Sequence, residues 1–202
     1  MKNLTLARQL SLVIIGLLFV TSGTASDKSL WQLNSDKSKL HFVSTKKSSI
    51  AEVNTFKTLS GDVYKDGKAN ISVDLNSVET NIEIRNERMK KHLFNTSKYN
   101  QANVSTMIDT KLLAQLKKGE SRTVPIKFKL SLHGKEVDLT TDVSIIRKNK
   151  NQLLVSTVAP VIIDAKSFDL VPGIEKLKEL AKLSSISSAV PVSFHLQFDR
   201  KN

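Results

Sequence analysis

Arg85, Asn86 and Arg88 sit within four consecutive positions. A guanidinium suits a phosphate because its planar fork donates two hydrogen bonds. Glu83 and Glu87 interleave with them, so the two arginines could instead pair along a solvated helix face. The 4 histidines, His41, His92, His133 and His195, are isolated in sequence. Without Glu-x-x-His or His-x-His spacing no metal site is expected. Serine is plentiful, yet the Gly-x-Ser-x-Gly of acyl-transfer hydrolases is missing, as are Gly-x-Gly-x-x-Gly and the phosphate loop. Asp62, Asp66 and Asp74 lack the glycine and closing glutamate of a calcium loop. Asp164 and Asp169 could serve acid–base work, but such pairs are common by chance. The residues therefore point away from an enzyme and imply no cofactor.

The elements that would hold these groups read mostly at period two, the mark of strands with one buried face. Clear runs are Ile71, Val73, Leu75; Ile126, Phe128, Leu130, Leu132; Val137 to Ile145; Val155 to Ile163; and Val190, Val192, Phe194, Leu196, Phe198. Weaker strand signals lie at Leu30–Leu33, Lys39–Thr45, Ser60–Tyr64 and Asn103–Thr110. Asp66-Gly67 and His133-Gly134-Lys135 read as hairpin turns, and residues 148–151 form a charge-rich third turn. Apolar spacing changes to that of short amphipathic helices at Asn81–Phe94 and at Pro172–Leu183, where Pro172 could start the helix. Eight to nine strands and two short helices make this an all-β chain suited to one barrel or sandwich.

The N-terminus has Lys2 and Arg8, an apolar run from Leu10 to Val20 and small residues to Ser26. That pattern matches a secretory signal peptide over 1–25, cleaved near Ala25, with Ser26 as the alternative. A single domain then occupies 26–202, and a periplasmic location is expected. There is no cysteine, so neither a disulfide framework nor lipidation through cysteine is available. Removing Lys2 and Arg8 lowers the formal charge from +12 to +10. A basic surface prefers anionic partners. The lysines are scattered without an aromatic-rich basic stripe, so nucleic acid is not expected, and an anionic membrane surface or phosphorylated ligand fits better.

From Asp74 through Arg85-Asn-Glu-Arg88 to Leu93-Phe94 the chain resembles the YceI-like family of exported lipid- or polyisoprenoid-binding proteins. Further matches are Trp31-Gln-Leu, Ser38-Lys-Leu-His-Phe42, Leu59-Ser-Gly-Asp-Val63, Leu132-His-Gly-Lys135, Ile163-Asp-Ala-Lys-Ser-Phe168 and Val190-Pro-Val-Ser-Phe-His-Leu-Gln-Phe198. They occur in the family's order along nearly all of the mature chain. Tyr99-Asn100 departs from it, since the family usually places proline after the aromatic residue.

The resemblance implies an eight-stranded antiparallel, lipocalin-like β-barrel around an apolar channel for a prenyl chain. The channel lining would come from Phe42, Phe56, Phe128, Leu130, Leu132, Val143, Val161, Phe194 and Leu196, while Arg85, Asn86 and Arg88 would meet a phosphate or quinone head group at the mouth. It also brings His41 and His195 near each other, where a surface or rim role is expected rather than a metal pair. The function implied is a periplasmic carrier of a polyisoprenoid or similar amphipathic lipid, such as a quinone, prenyl phosphate or fatty amide. The alternative is a filled barrel, an envelope stress or interaction protein whose basic surface binds anions. An exposed barrel rim and apolar helix face could also pair two copies as a homodimer.

Overall fold

The computed structural model describes residues 29–201, so the leader expected over 1–25 lies outside the described residues. The strands are β1 (Ser29–Leu33), β2 (Lys39–Lys46), β3 (Ile50–Phe56), β4 (Leu59–Tyr64), β5 (Lys68–Asp74), β6 (Val78–Glu79), β7 (Gln101–Met107), β8 (Ser121–Leu132), β9 (Lys135–Asn149), β10 (Gln152–Thr157), β11 (Val161–Asp164) and β12 (Ala189–Arg200). Between them lie α1 (Glu83–Arg88), which runs directly into a π-helical turn at Met89–Phe94, then α2 (Thr110–Gln115) and α3 (Val171–Leu180).

Because β1 pairs with both β4 and β12, the path β1-β4-β5-β7-β8-β9-β10-β12 closes on itself as an eight-stranded antiparallel barrel. The other strands extend the wall at one end. There β2 and β11 flank the first half of β12, and β3 and β6 add beyond β2. Alternation dictates which side chains face in: Phe128, Leu130 and Leu132 from β8 point inward, and Lys127 and Lys129 point to solvent. Gly67 (φ 93) and the pair His133 (φ 52) and Gly134 (φ 77) supply the left-handed backbone that tight hairpins need.

One end of the barrel is packed shut. Trp31, Val63, Ile145, Leu153 and Phe198 are buried there, and the guanidinium carbons of Arg147 and Arg200 stand 5.4 and 5.9 Å from the Trp31 ring centroid. Arg147 also donates to the Leu113 carbonyl of α2, which fastens that helix beneath the plug. At the other end α3 lies against the π-helical turn. Gly173 makes this approach possible, since a Cβ there would fall 2.5 Å from the His92 carbonyl oxygen and 2.8 Å from Leu93 Cα. Gly173→Ala is therefore expected to push the two helices apart and lower stability by about 1–3 kcal/mol in urea denaturation. An unchanged midpoint would show that α3 can shift freely.

Two local expectations are corrected. The strand expected over Asn103–Thr110 stops at Met107, because the Asp109 carboxylate accepts from the Lys111 and Leu112 N–H groups and opens α2. The run from Val155 to Ile163 breaks into β10 and β11 around Pro160, which has no N–H to give to a ladder. The segment 50–56, which shows no alternating apolar run, is β3. Its inward positions include Glu52 and Asn54, which erase the apolar alternation.

Candidate functional site

The barrel interior holds a cavity of about 490 Å³, open at the helical end. Phe128, Leu130 and Leu132 of β8, Val161 and Ile163 of β11, and Val190, Val192 and Phe194 of β12 form much of its wall. Phe42, Phe56 and Phe94 make a continuous aromatic side, with ring centroids 5.2 Å apart for the first pair and 5.8 Å for the second. Met89, Leu93, Ile174 and Leu177, from the π-helical turn and α3, cover the upper part.

Of the residues expected to line the channel, Phe42, Phe56, Phe128, Leu130, Leu132, Val161 and Phe194 stand on this wall. Val143 and Leu196 do not: both belong to the buried core and are absent from the wall. Along β12 the cavity reaches Phe194, and Leu196 begins the packed layer beneath it. Side-chain parity alone cannot mark that floor, because inward residues above and below it share the same face.

Charged groups on the cavity wall gather at the mouth. Glu52 Oε2 accepts from Lys46 Nζ at 2.9 Å and from Arg85 Nη1 at 2.6 Å. Arg85 Nη2 donates to the Thr80 carbonyl at 2.7 Å, while its buried Nε meets no acceptor among the described residues. The Lys46 hydrogen bond and the Arg85 guanidinium outweigh partial desolvation and hold the Glu52 carboxyl below its ordinary value. Asn54 donates to Ser44 Oγ at 3.0 Å beside them. Arg88 also reaches the wall and spends one donor on the Leu180 carbonyl at 3.3 Å.

Arg85 pairs with Glu52, 33 positions away, and not with its helix neighbours Glu83 and Glu87. Asn86, expected beside the head group, does not line the cavity. It is buried, and its Oδ1 accepts from the Thr80 N–H at 2.9 Å and the Thr80 hydroxyl at 2.6 Å, while Nδ2 donates to Glu79 Oε1 at 2.9 Å. Asn86 thus clasps Glu79 and Thr80, which lead through Ile82 into the helix that carries Ile84 and Arg85. Lys46 and Glu52 were missed from sequence, and the recoverable signal was Ile50, Glu52, Asn54 and Phe56 sharing one strand face.

Glu79 completes the clasp. Its carboxyl is lowered to about 2 by the Lys57 hydrogen bond, then by Asn86 and the Asn81 N–H. A depressed folded pKa means the contribution is present above the ordinary value of 4.5 and is lost as pH falls through about 2. Hydrogen exchange at the Thr80 amide is expected to accelerate as pH drops across that window, relative to core amides of β8. Equal protection at both places throughout would separate the clasp from Glu79.

Outside the cavity, Ser156 Oγ and His195 Nδ1 lie 2.7 Å apart, but on the outer face of the sheet. Among the described residues no three His, Cys, Asp or Glu side chains converge as a metal group.

Fold and site together define a closed antiparallel barrel whose interior is an apolar cavity with a polar mouth. The YceI-like domain matches residues 31–198, and the chain belongs to that family. It is similar to a polyisoprenoid-binding domain from Saccharophagus degradans implicated in plant cell wall breakdown, at 37% identity and a TM-score of 0.85, over 86% of this chain and 100% of that one. BcnA of Burkholderia cenocepacia is 21% identical with a TM-score of 0.64, over 82% of this chain and 98% of its own. A YceI protein of Campylobacter jejuni is 16% identical with a TM-score of 0.55, over 74% and 85%. These last two share the fold. No curated protein matches the chain.

Proposed function

We propose that this protein is a non-enzymatic carrier, exported to the periplasm through a leader ending near Ala25, that holds a polyisoprenoid or related amphipathic lipid in its barrel. The observation that carries the reading is the polarity of the cavity: about 490 Å³ walled by aliphatic and aromatic side chains, with its charged groups at one end. That volume lies in the range of small-molecule sites. Burying each CH₂ of a prenyl tail is worth ~0.8 kcal/mol, so the tail belongs against Phe128, Leu130 and Leu132. Lys46, Arg85 and Arg88 carry more positive charge than Glu52 cancels, which favours an anionic or strongly accepting head at the mouth. The likeness to the Saccharophagus degradans polyisoprenoid-binding domain supports the same cargo class. A filled barrel acting only through its basic surface does not fit a space of this size.

Organic extraction and mass spectrometry of protein purified from its own envelope, beside a leaderless cytoplasmic preparation, test the reading. A stoichiometric prenyl lipid or quinone in the first preparation is the expected result. Protein that is empty in both, and takes up no added prenyl lipid, would overturn it.

A further inference from the structure

The rim of the cavity has an arrangement that ligand binding alone does not require. Ile82 and Ile84 both line the opening, yet they are 46% and 58% exposed. Ile50, 43% exposed, stands beside the β2–β3 turn, just past Lys46. Large aliphatic side chains standing in water around an opening are what a surface that meets another apolar phase would carry.

The charges around them are unbalanced. Lys46, Arg85 and Arg88 line the opening, Lys47 follows Lys46, and Lys182 lies between the lining residues Ala181 and Leu183. The neighbouring glutamates are largely neutralised: Glu52 by Lys46 and Arg85, Glu87 by Lys90, Glu175 by Lys178 and Glu179 by Lys176. Among the described residues, Glu83 is the one glutamate of this rim without an ion pair. Lys47 and Lys182 stand exposed and form none either.

We propose that the cavity mouth is a docking face for an anionic bilayer surface, with Ile50, Ile82 and Ile84 entering the interface and Lys47, Arg88 and Lys182 meeting lipid phosphates. Apolar side chains ringed by cations are the chemistry by which proteins bind such interfaces. A second copy fits less well, since two such mouths face to face would bring like charges together. The purpose of the face rests on the carrier reading above: a tail that cannot cross water passes between barrel and bilayer only where the two touch.

The test is flotation with vesicles of phosphatidylcholine alone and of phosphatidylcholine mixed with phosphatidylglycerol, at low and high salt, with light scattering for oligomeric state. The full-length mature protein is expected to float with the anionic vesicles only, and less so at high salt. Lys47→Glu with Lys182→Glu should weaken that binding at least roughly twenty-five-fold, because each basic residue near an anionic surface contributes about a factor of five. Ile84→Asp should weaken it roughly tenfold. Met107→Asp, at an exposed apolar residue toward the opposite end of the barrel, should change nothing. Flotation equal for wild type and the Lys47/Lys182 variant, or equal with both vesicle types, would overturn the docking face. So would rim variants that change the molecular mass but not flotation, which would make the mouth a contact between copies. Extracted lipid is measured on the same samples. Cargo without flotation sinks the docking face alone, and flotation without cargo or prenyl-lipid uptake sinks the carrier reading alone.

Discussion

Leu132→Arg is expected to leave a barrel that folds but does not retain its cargo. Leu132 is 8% exposed and stands on the cavity wall at the end of β8, where a longer side chain has only the cavity to enter. An arginine there displaces roughly four carbon-sized groups of a bound tail, or about 3 kcal/mol at 0.8 per CH₂. That corresponds to a loss of retention of roughly a hundredfold. The buried guanidinium also costs stability, so Val104→Trp, which fills the same space without charge, separates occupancy from misfolding. Native mass spectrometry of both variants, after circular dichroism has confirmed folding, reads the effect. Lys178→Ala, on the outer side of α3 where the lysine pairs with Glu175, is expected to retain the ligand as wild type does. Equal retention in all three would mean that the cargo lies outside this cavity.

Trp31→Ala is expected to have the largest effect on stability. Trp31 is 4% exposed, joins the core of the closed end and carries Arg147 and Arg200 over its ring. Truncating a buried aromatic residue to alanine costs about 3–5 kcal/mol, a large share of the 5–15 kcal/mol typical of a domain. For a domain of this size the melting temperature should fall by about 6–20 °C. Circular dichroism is the suitable probe, since the variant loses the chain's single tryptophan. Trp31→Phe should recover part of the loss through apolar burial. A fall below about 1 kcal/mol for the alanine variant would show that α2 and the neighbouring core close this end without the indole.

The apolar face of the wall was legible because alternation is local: Phe128, Leu130 and Leu132, or Val190, Val192 and Phe194, announce their common face within a few residues. The tight turns at Gly67 and Gly134 were legible for the same reason, as the backbone they require favours glycine. The strand that carries Glu52 was hidden because polar residues facing a cavity look, in sequence, like residues facing water. Arg85 lines the cavity, yet its partner lies on another element, and no spacing rule on a helix points to Glu52. The partners of Asn86 were hidden in the same way, since Thr80 and Glu79 become its neighbours only after the loop folds back over it.

By itself, then, the sequence determined an antiparallel β chain with one apolar face per strand, hairpins at its glycine turns and amphipathic helices beside an arginine pair, because each depends on residues within one turn or two strands' reach. Only the tertiary structure decided that the ring closes through β1 and β12, that the cavity stops above Leu196, and that Lys46, Glu52 and Arg85 meet at its mouth. Closure, depth and convergence depend on the packing of segments far apart in the chain, and alternation along a strand carries no record of what lies across the barrel.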